Sequence, residues 1–354
     1  MNIIKVSAPG KLHLLGEHTV IYGKPALLAA VNRRCLVKIA PRKDKMVEIV
    51  LNDFKWKTSE KKILAKTKQA EKIWKTFSKT NNISILKKIV GNPLDYSLLV
   101  IGKTLDYYQK SFASGFTLMI DSAIPFGVGM GSSAASAVAI AGAVSLFLGE
   151  KLDTEKINII AFQVEHFVHG FPSGGDTSIA CFGGFVWFRR ETSDLKFIQP
   201  LQQIIPDKLA NNFYIINTGE PRESTGEMVA MVKKFVEKQD LLSEKIFTDQ
   251  ERLTRQLLSA IENNNEEDIK NIIKNGERNL EKLGVVSIST KKIIREIEKA
   301  GGAAKICGGG GKAKATGMLL VYHAKQKIIE ALVKEKKLLC DTVLLGDEGI
   351  RIER

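Results

Sequence analysis

The chain opens with apolar and polar positions in alternation and later shifts to helical spacing. "NIIKVSAPGKLHLLGEH" alternates and then meets Pro9-Gly10, which predicts a strand and a hairpin turn. "RRCLVKIAP" (Arg33–Pro41) and "KMVEIVL" (Lys45–Leu51) predict two more strands around a polar turn. Lys57–Lys79 and Asp95–Lys110 read as helices, and Gly115–Pro125 as a strand that feeds a glycine-rich loop. From Ala134 to Leu148 almost every residue is small or apolar, which predicts a buried helix with Ser132 and Ser133 at its N-cap. A second helix, Asp153–Gly170, follows with Asp153 or Thr154 as its cap, and Gly183–Arg190 returns as a strand.

After about residue 190 the pattern changes. Asn211–Gly219 reads as a buried strand, followed by amphipathic helices over Glu227–Glu237 and from Asp249 through Leu283, broken near Asn263–Asn265. "TKKIIREIEKAG", "AAKICGGGG", "TGMLLVYH", "KQKIIEALVKEK" and "DTVLLGDEGIRIE" then predict helix, strand and loop, strand, helix, and strands. That order suggests a small α+β sandwich behind a boundary near residues 190–210, giving domains of residues 1–195 and 196–354.

Composition narrows the classes. The 354 residues, 44% hydrophobic and 26% charged, are those of a globular protein. Cys35, Cys181, Cys307 and Cys340 form no C-x-x-C pair, which argues against a zinc site or disulfide framework and suits a cytoplasmic location. "MNIIKVSAPGK" lacks the layout of a signal peptide, and the longest apolar stretch is too short to cross a bilayer. The net charge of +14 raises a nucleic-acid-binding reading. Much of the excess, however, is lysine interleaved with glutamate, as in Lys57–Thr80, and no arginine-rich tail or aromatic stacking module accompanies it. A solvated lysine face is the simpler reading, and the Lys55–Lys88 segment carries no legible function.

Three motifs carry chemistry. "PFGVGMGSSAASAVAI" (Pro125–Ile140) joins a glycine loop to a helix start, where free N–H groups and the helix dipole suit a phosphate. It lacks the Gly-Lys-Ser/Thr ending of a P-loop and the glycine spacing of a dinucleotide fold. "SAPGKLHLLGEHTVIYGKPA" (Ser7–Ala26) brings Lys11, Glu17 and His18 close together around a turn, although a lysine beside such a turn is ordinarily a surface residue. "EHFVHGFPSGGDTSIACFGG" (Glu165–Gly184) sets Glu165 near a helix end and Asp176 in a following turn. Two such carboxylates can converge on a cation and on a substrate hydroxyl, the two needs of phosphoryl transfer from a magnesium nucleotide. His169 reads equally as a helix C-terminal cap and as a substrate residue.

In this order the three motifs resemble those of the GHMP kinases, and Lys11, His18 and the run His169–Asp176 resemble the mevalonate kinases most among them. The resemblance spans Ser7 to about Tyr322 and implies a two-domain α+β GHMP kinase fold. In that fold a ribosomal-protein-like N-terminal domain and a ferredoxin-like C-terminal domain flank the active-site cleft. It further implies that Pro125, Gly127, Gly129, Met130, Gly131, Ser132, Ser133 and Ala134 wrap the phosphates of the co-substrate ATP, and that Ser133 and Glu165 hold Mg²⁺. Asp176 and Lys11 would be catalytic, the first as base for an acceptor hydroxyl. Glu17, His18, His169 and Thr225 would serve the acceptor. The implied reaction is phosphorylation of the 5-hydroxyl of mevalonate, in isoprenoid biosynthesis. Phosphomevalonate, a sugar or homoserine remain as other acceptors, and a nucleic-acid-binding protein of the same N-terminal fold remains as another class. Expected partners are ATP and a small acceptor, without nucleic acid or membrane; the oligomeric state is open, a homodimer among the options. The family's Gly-Ala-Gly-Gly-Gly run reads "KICGGGGKAKATG" here (Lys305–Gly317), with Cys307 at a small-residue position, which bears on acceptor choice.

Overall fold

The computed structural model describes residues 3–192, 195–201 and 205–354. Its first half runs β1 (Ile4–Leu15), β2 (Ala26–Pro41), β3 (Met46–Leu51), β4 (Phe54–Ser59), α1 (Glu60–Thr80), α2 (Pro93–Tyr108), β5 (Phe116–Ser122), α3 (Ser132–Phe147), α4 (Thr154–His169), α5 (Gly175–Phe182), β6 (Phe185–Arg190) and β7 (Lys196–Leu201). The second half runs α6 (Asp207–Ala210), β8 (Phe213–Asn217), α7 (Thr225–Lys238), α8 (Asp240–Glu262), α9 (Glu266–Lys282), α10 (Ile288–Lys299), β9 (Ala303–Ile306), β10 (Met318–Tyr322), α11 (Gln326–Lys336), β11 (Leu339–Thr342) and β12 (Arg351–Ile352).

Two sheets organise these elements. The larger has the order β12-β1-β2-β5-β3-β4, with β6 paired to β2 and β7 to β6; the smaller is β11-β8-β10-β9. All pairs are antiparallel except β3 with β5, whose connection through β4, α1 and α2 is long enough for a parallel crossover. α3 lies against β1 and β2 and against α2, α4 and α5. Its Ala, Gly and Val positions are buried around the whole helix, so from Ala134 to Ser145 it has almost no solvent face, while Ser132 and Ser133 at its start are half-buried.

Several local expectations change. β1 does not turn at Pro9-Gly10 but runs on to Leu15, because a register shift there absorbs the irregularity. Pro9 pairs with Arg34 and Gly10 with Val31, so Asn32 and Arg33 bulge out of β2. That bulge compensates for the N–H that proline lacks. Lys57–Ser59 belong to strand β4 rather than to the lysine-rich helix, and α8 begins at Asp240 rather than Asp249. A division at 195/196 falls inside the β6–β7 hairpin, and β12 returns to pair with β1. Positions 193–194 and 202–204 of the boundary segment lie outside the described residues.

Candidate active site

The glycine loop meets α3 at Gly131, the N-cap, whose φ of 71° is left-handed. Ser132 and Ser133 are therefore not caps, as the sequence suggested; they are the first helical residues, and no side chain caps the helix. The first intrahelical bond runs from the Ala135 N–H to the Gly131 carbonyl at 2.9 Å. The N–H groups of Ser132, Ser133 and Ala134 thus precede the helix ladder at the positive end of a buried dipole. Gly129 (φ 88°) packs so closely on the segment after β9 that a Cβ there would lie 2.4 Å from the Cys307 carbonyl oxygen. The Met318 N–H donates to the Val128 carbonyl at 3.0 Å. The loop is held between the two halves of the molecule, and Cys307–Gly308 lie directly on it.

Lys11 reaches this loop from β1. Its N–H donates to the Met130 carbonyl at 2.9 Å, and its stem lies where a Cβ on Gly131 would come within 2.8 Å of Cγ. The buried ammonium stands 3.2 Å from Asp176 Oδ1 and 2.8 Å from His13 Nδ1. Asp176 is in the first turn of α5, not in an open turn, with its side chain about one-third exposed at 36%. Gly174 caps that helix in the left-handed region, so the carboxylate sits near a helix N-terminus.

A second cluster gathers beside it. Ser133 Oγ lies 3.4 Å from the buried Glu165 Oε2, and His169 Nε2 lies 3.4 Å from the same oxygen. The Tyr96 hydroxyl donates to Glu165 Oε1 and lies 3.1 Å from the Ser133 carbonyl. Burial, reinforced by the Glu165 charge, pushes the Tyr96 hydroxyl well above its ordinary pKa, so it remains a donor. His169 is the last residue of α4 before the Gly170 cap, so its helix-end position and its contact with Glu165 coexist. Among the described residues no cluster of three or more His, Cys, Asp or Glu side chains could hold a metal.

The remaining candidates divide. Glu17 pairs with the fully buried Lys305 of β9, whose ammonium also donates to the His13 and Ile306 carbonyls. Burial works against the Lys305 charge, but Glu17 beside it outweighs that and holds the amine above its ordinary pKa. Glu17 is therefore mainly an anchor of this pair. His18 has a positive φ of 60° and meets the Gly309 carbonyl at 3.0 Å through Nε2. Nδ1 is buried with no hydrogen-bond partner among the described residues. Burial holds the His18 ring down to about 4, so it is neutral and Nε2 carries the proton. Thr225 opens α7 behind the Ser224 cap, is exposed, and lies against Gly309, where an added Cβ would come within 3.2 Å of its Cγ2.

Sequence reasoning missed His13, Tyr96 and Lys305. Strand spacing would have paired His13 with Lys11 had the segment been read as one strand. Tyr96 and Lys305 carry no local signal, because each meets the site only through tertiary packing.

Residues 99–184 match the model described as GHMP kinases N terminal domain, and residues 3–41 match the galactokinase galactose-binding signature. The mevalonate kinase of Pyrococcus horikoshii is 31% identical over 363 residues, covering 99% of this chain and 98% of that one. That of Pyrococcus abyssi is 30% identical over 364 residues, with the same coverage. The solved mevalonate kinase of Methanococcus jannaschii superposes with a TM-score of 0.79 at 22% identity, covering 98% of this chain and 99% of that one. The Lactococcus lactis galactokinase complexed with galactose superposes at 0.74 with 16% identity, covering 99% and 95%. Both structures share the fold. Among the described residues no helix is long and apolar enough to cross a membrane.

Proposed function

The chain belongs to the mevalonate kinase family of the GHMP kinases, and on that premise we propose that it transfers the γ-phosphoryl group of ATP to the 5-hydroxyl of mevalonate. The observation that carries the site assignment is the Lys11–Asp176 ion pair at 3.2 Å, next to the uncapped start of α3. Asp176 accepts the hydroxyl proton as the substrate oxygen forms its bond to the γ-phosphorus. The bond to the bridging oxygen breaks, and ADP leaves with that electron pair. Lys11, paired with Asp176 at 3.2 Å, holds that carboxylate in place and offsets charge on the transferring group. The Ser132, Ser133 and Ala134 N–H groups and the loop Pro125–Gly131 bind and orient the phosphates. His18 Nδ1, a lone pair with no hydrogen-bond partner among the described residues, is suited to accept from an acceptor hydroxyl.

Magnesium fits the residues present. Ser133 Oγ and Glu165 Oε2 are hard oxygens 3.4 Å apart, and two protein oxygens leave room for water and phosphate ligands. Bound there, the ion would neutralise phosphate charge. Tyr96 orients the Glu165 carboxylate through its hydroxyl. The four free thiols, three of them buried, support a reducing, cytoplasmic setting.

The match of residues 3–41 to a galactose-binding signature makes a sugar the competing acceptor. ADP release with Mg-ATP, measured against mevalonate, 5-phosphomevalonate, galactose, homoserine and a blank, tests the choice. Turnover on mevalonate alone is expected. Turnover on galactose and not mevalonate would overturn the acceptor while leaving the kinase chemistry in place.

A further inference from the structure

We propose that His13 is a positioning residue for this reaction: its Nδ1 lone pair anchors the Lys11 ammonium and leaves one N–H to meet the transferring phosphoryl group. The reaction itself rests on the mevalonate kinase reading above; the residue is argued from the geometry of β1. Lys11, Leu12 and His13 pair in unbroken register with Ala30, Ala29 and Leu28 of β2. Residues two apart on a regular strand project from the same face, so Lys11 and His13 stand side by side.

An ammonium can only donate, so at 2.8 Å the His13 Nδ1 must accept, and the ring proton then resides on Nε2. A charged imidazole could not take this place. Burial first, then the charges of Lys11 and Lys305 and the neighbouring His18, keep the ring well below its ordinary pKa. The His13 main chain is tied down as well, because its carbonyl accepts from Lys305 Nζ at 3.1 Å. Lys305 thus holds the residue, and the residue holds Lys11.

Counting donors shows what this does. Lys11 has three N–H groups; one meets His13 at 2.8 Å, and the ammonium stands 3.2 Å from Asp176 Oδ1 as an ion pair. Even with a second N–H turned to that oxygen, one is left for a substrate oxygen. With Asp176 as its only partner, the ammonium would be free to rotate about the carboxylate and collapse onto both of its oxygens. It would then compete with the acceptor hydroxyl for the base. Two fixed partners remove that rotation, and misplacement of about 1 Å at such a group can lower turnover by about 10²-fold.

The test compares His13→Leu, which keeps bulk without an acceptor, with His13→Asn, whose Oδ1 lies as many bonds from Cβ as Nδ1 does. Steady-state kinetics on mevalonate should show kcat about 10²-fold lower in the leucine variant, with KM for Mg-ATP little changed, and most of that loss recovered by asparagine. Equal kcat in the two variants, whether both high or both low, would overturn the proposal. Nitrogen-15 NMR of the wild-type imidazole, assigned by the peak lost in His13→Asn, gives a readout that does not depend on how the leucine variant folds. A neutral ring protonated at Nε2 is expected at neutral pH; an Nδ1-protonated or charged ring would refute the contact. Lack of wild-type turnover on mevalonate would count against the acceptor instead, and the two variants would then be compared on whichever acceptor is turned over.

Discussion

Lys11 and Asp176 are 165 positions apart in the chain yet form one ion pair, and under the proposed reaction a substitution at Asp176 separates binding from chemistry. Asp176→Asn keeps the shape and removes the proton acceptor. It is expected to lower kcat by about 10²- to 10⁴-fold while the ATP dissociation constant, followed by nucleotide fluorescence, stays nearly unchanged. Near-normal turnover would exclude Asp176 as base. His18 is proposed for the acceptor side: with its ring held at about 4 it is uncharged from mildly acidic to alkaline pH. His18→Ala should raise KM for mevalonate by up to about tenfold, the worth of one hydrogen bond, without raising KM for ATP. An equal rise for both substrates would place His18 outside the acceptor pocket.

Two helix ends form the proposed phosphate and magnesium site. The start of α3 is shaped by Gly131, whose left-handed backbone and close approach to the Lys11 stem both exclude a side chain. Gly131→Ala combines backbone strain of about 1–2 kcal/mol with displacement of Lys11. Its melting temperature should therefore fall a few degrees while kcat falls much further. Loss of stability alone, at unchanged kcat, would mean that the Lys11 stem simply moves aside. At the end of α4, Glu165→Gln keeps an acceptor for Tyr96 but removes the charge that suits a cation. The magnesium concentration for half-maximal rate should rise at saturating ATP, and an unchanged requirement would move the metal site elsewhere.

At the scale of the molecule, buried ionisable groups tie the elements together. Lys305 of β9 pairs with Glu17, which follows β1, and Glu277 of α9 accepts from the Ile306 N–H at 3.0 Å. Lys305→Met strands a buried carboxylate, so urea unfolding should show a loss of about 3–5 kcal/mol. The double variant Lys305→Met/Glu17→Leu should recover part of it; no recovery would deny the pair its structural role. Burial raises Glu277 from 4.5 to about 8. The native state therefore keeps a proton that the unfolded chain releases, and stability must fall as pH rises through that window. Glu277→Gln should flatten the fall, seen as urea midpoints that converge between its two ends, and an unchanged slope would assign the pH dependence to other groups.

Much of this protein follows from its sequence because the signals are local. The apolar run Ala134–Leu148 admits only a buried helix, and a glycine loop in front of it predicts a helix start suited to an anion without knowledge of anything distant. The order of the three motifs sufficed for the family, and it singled out Lys11, Ser133, Glu165 and Asp176 as candidates that the fold brings into two neighbouring pairs. Other features were decided by tertiary structure. β1 is one strand rather than a hairpin because β2 bulges to accommodate Pro9, a fact that resides in the partner strand. Ser132 and Ser133 lost the cap to Gly131 because the chain must turn left-handed over the Lys11 stem. Glu17 became an anchor, and His13 and Tyr96 came to face the site, only when β9, α2 and α4 were packed around them. Periodicity and turn chemistry act over a few residues and are written in order along the chain. The partner of a buried charge is chosen by which distant atoms exclude water from it, and only the folded molecule settles that.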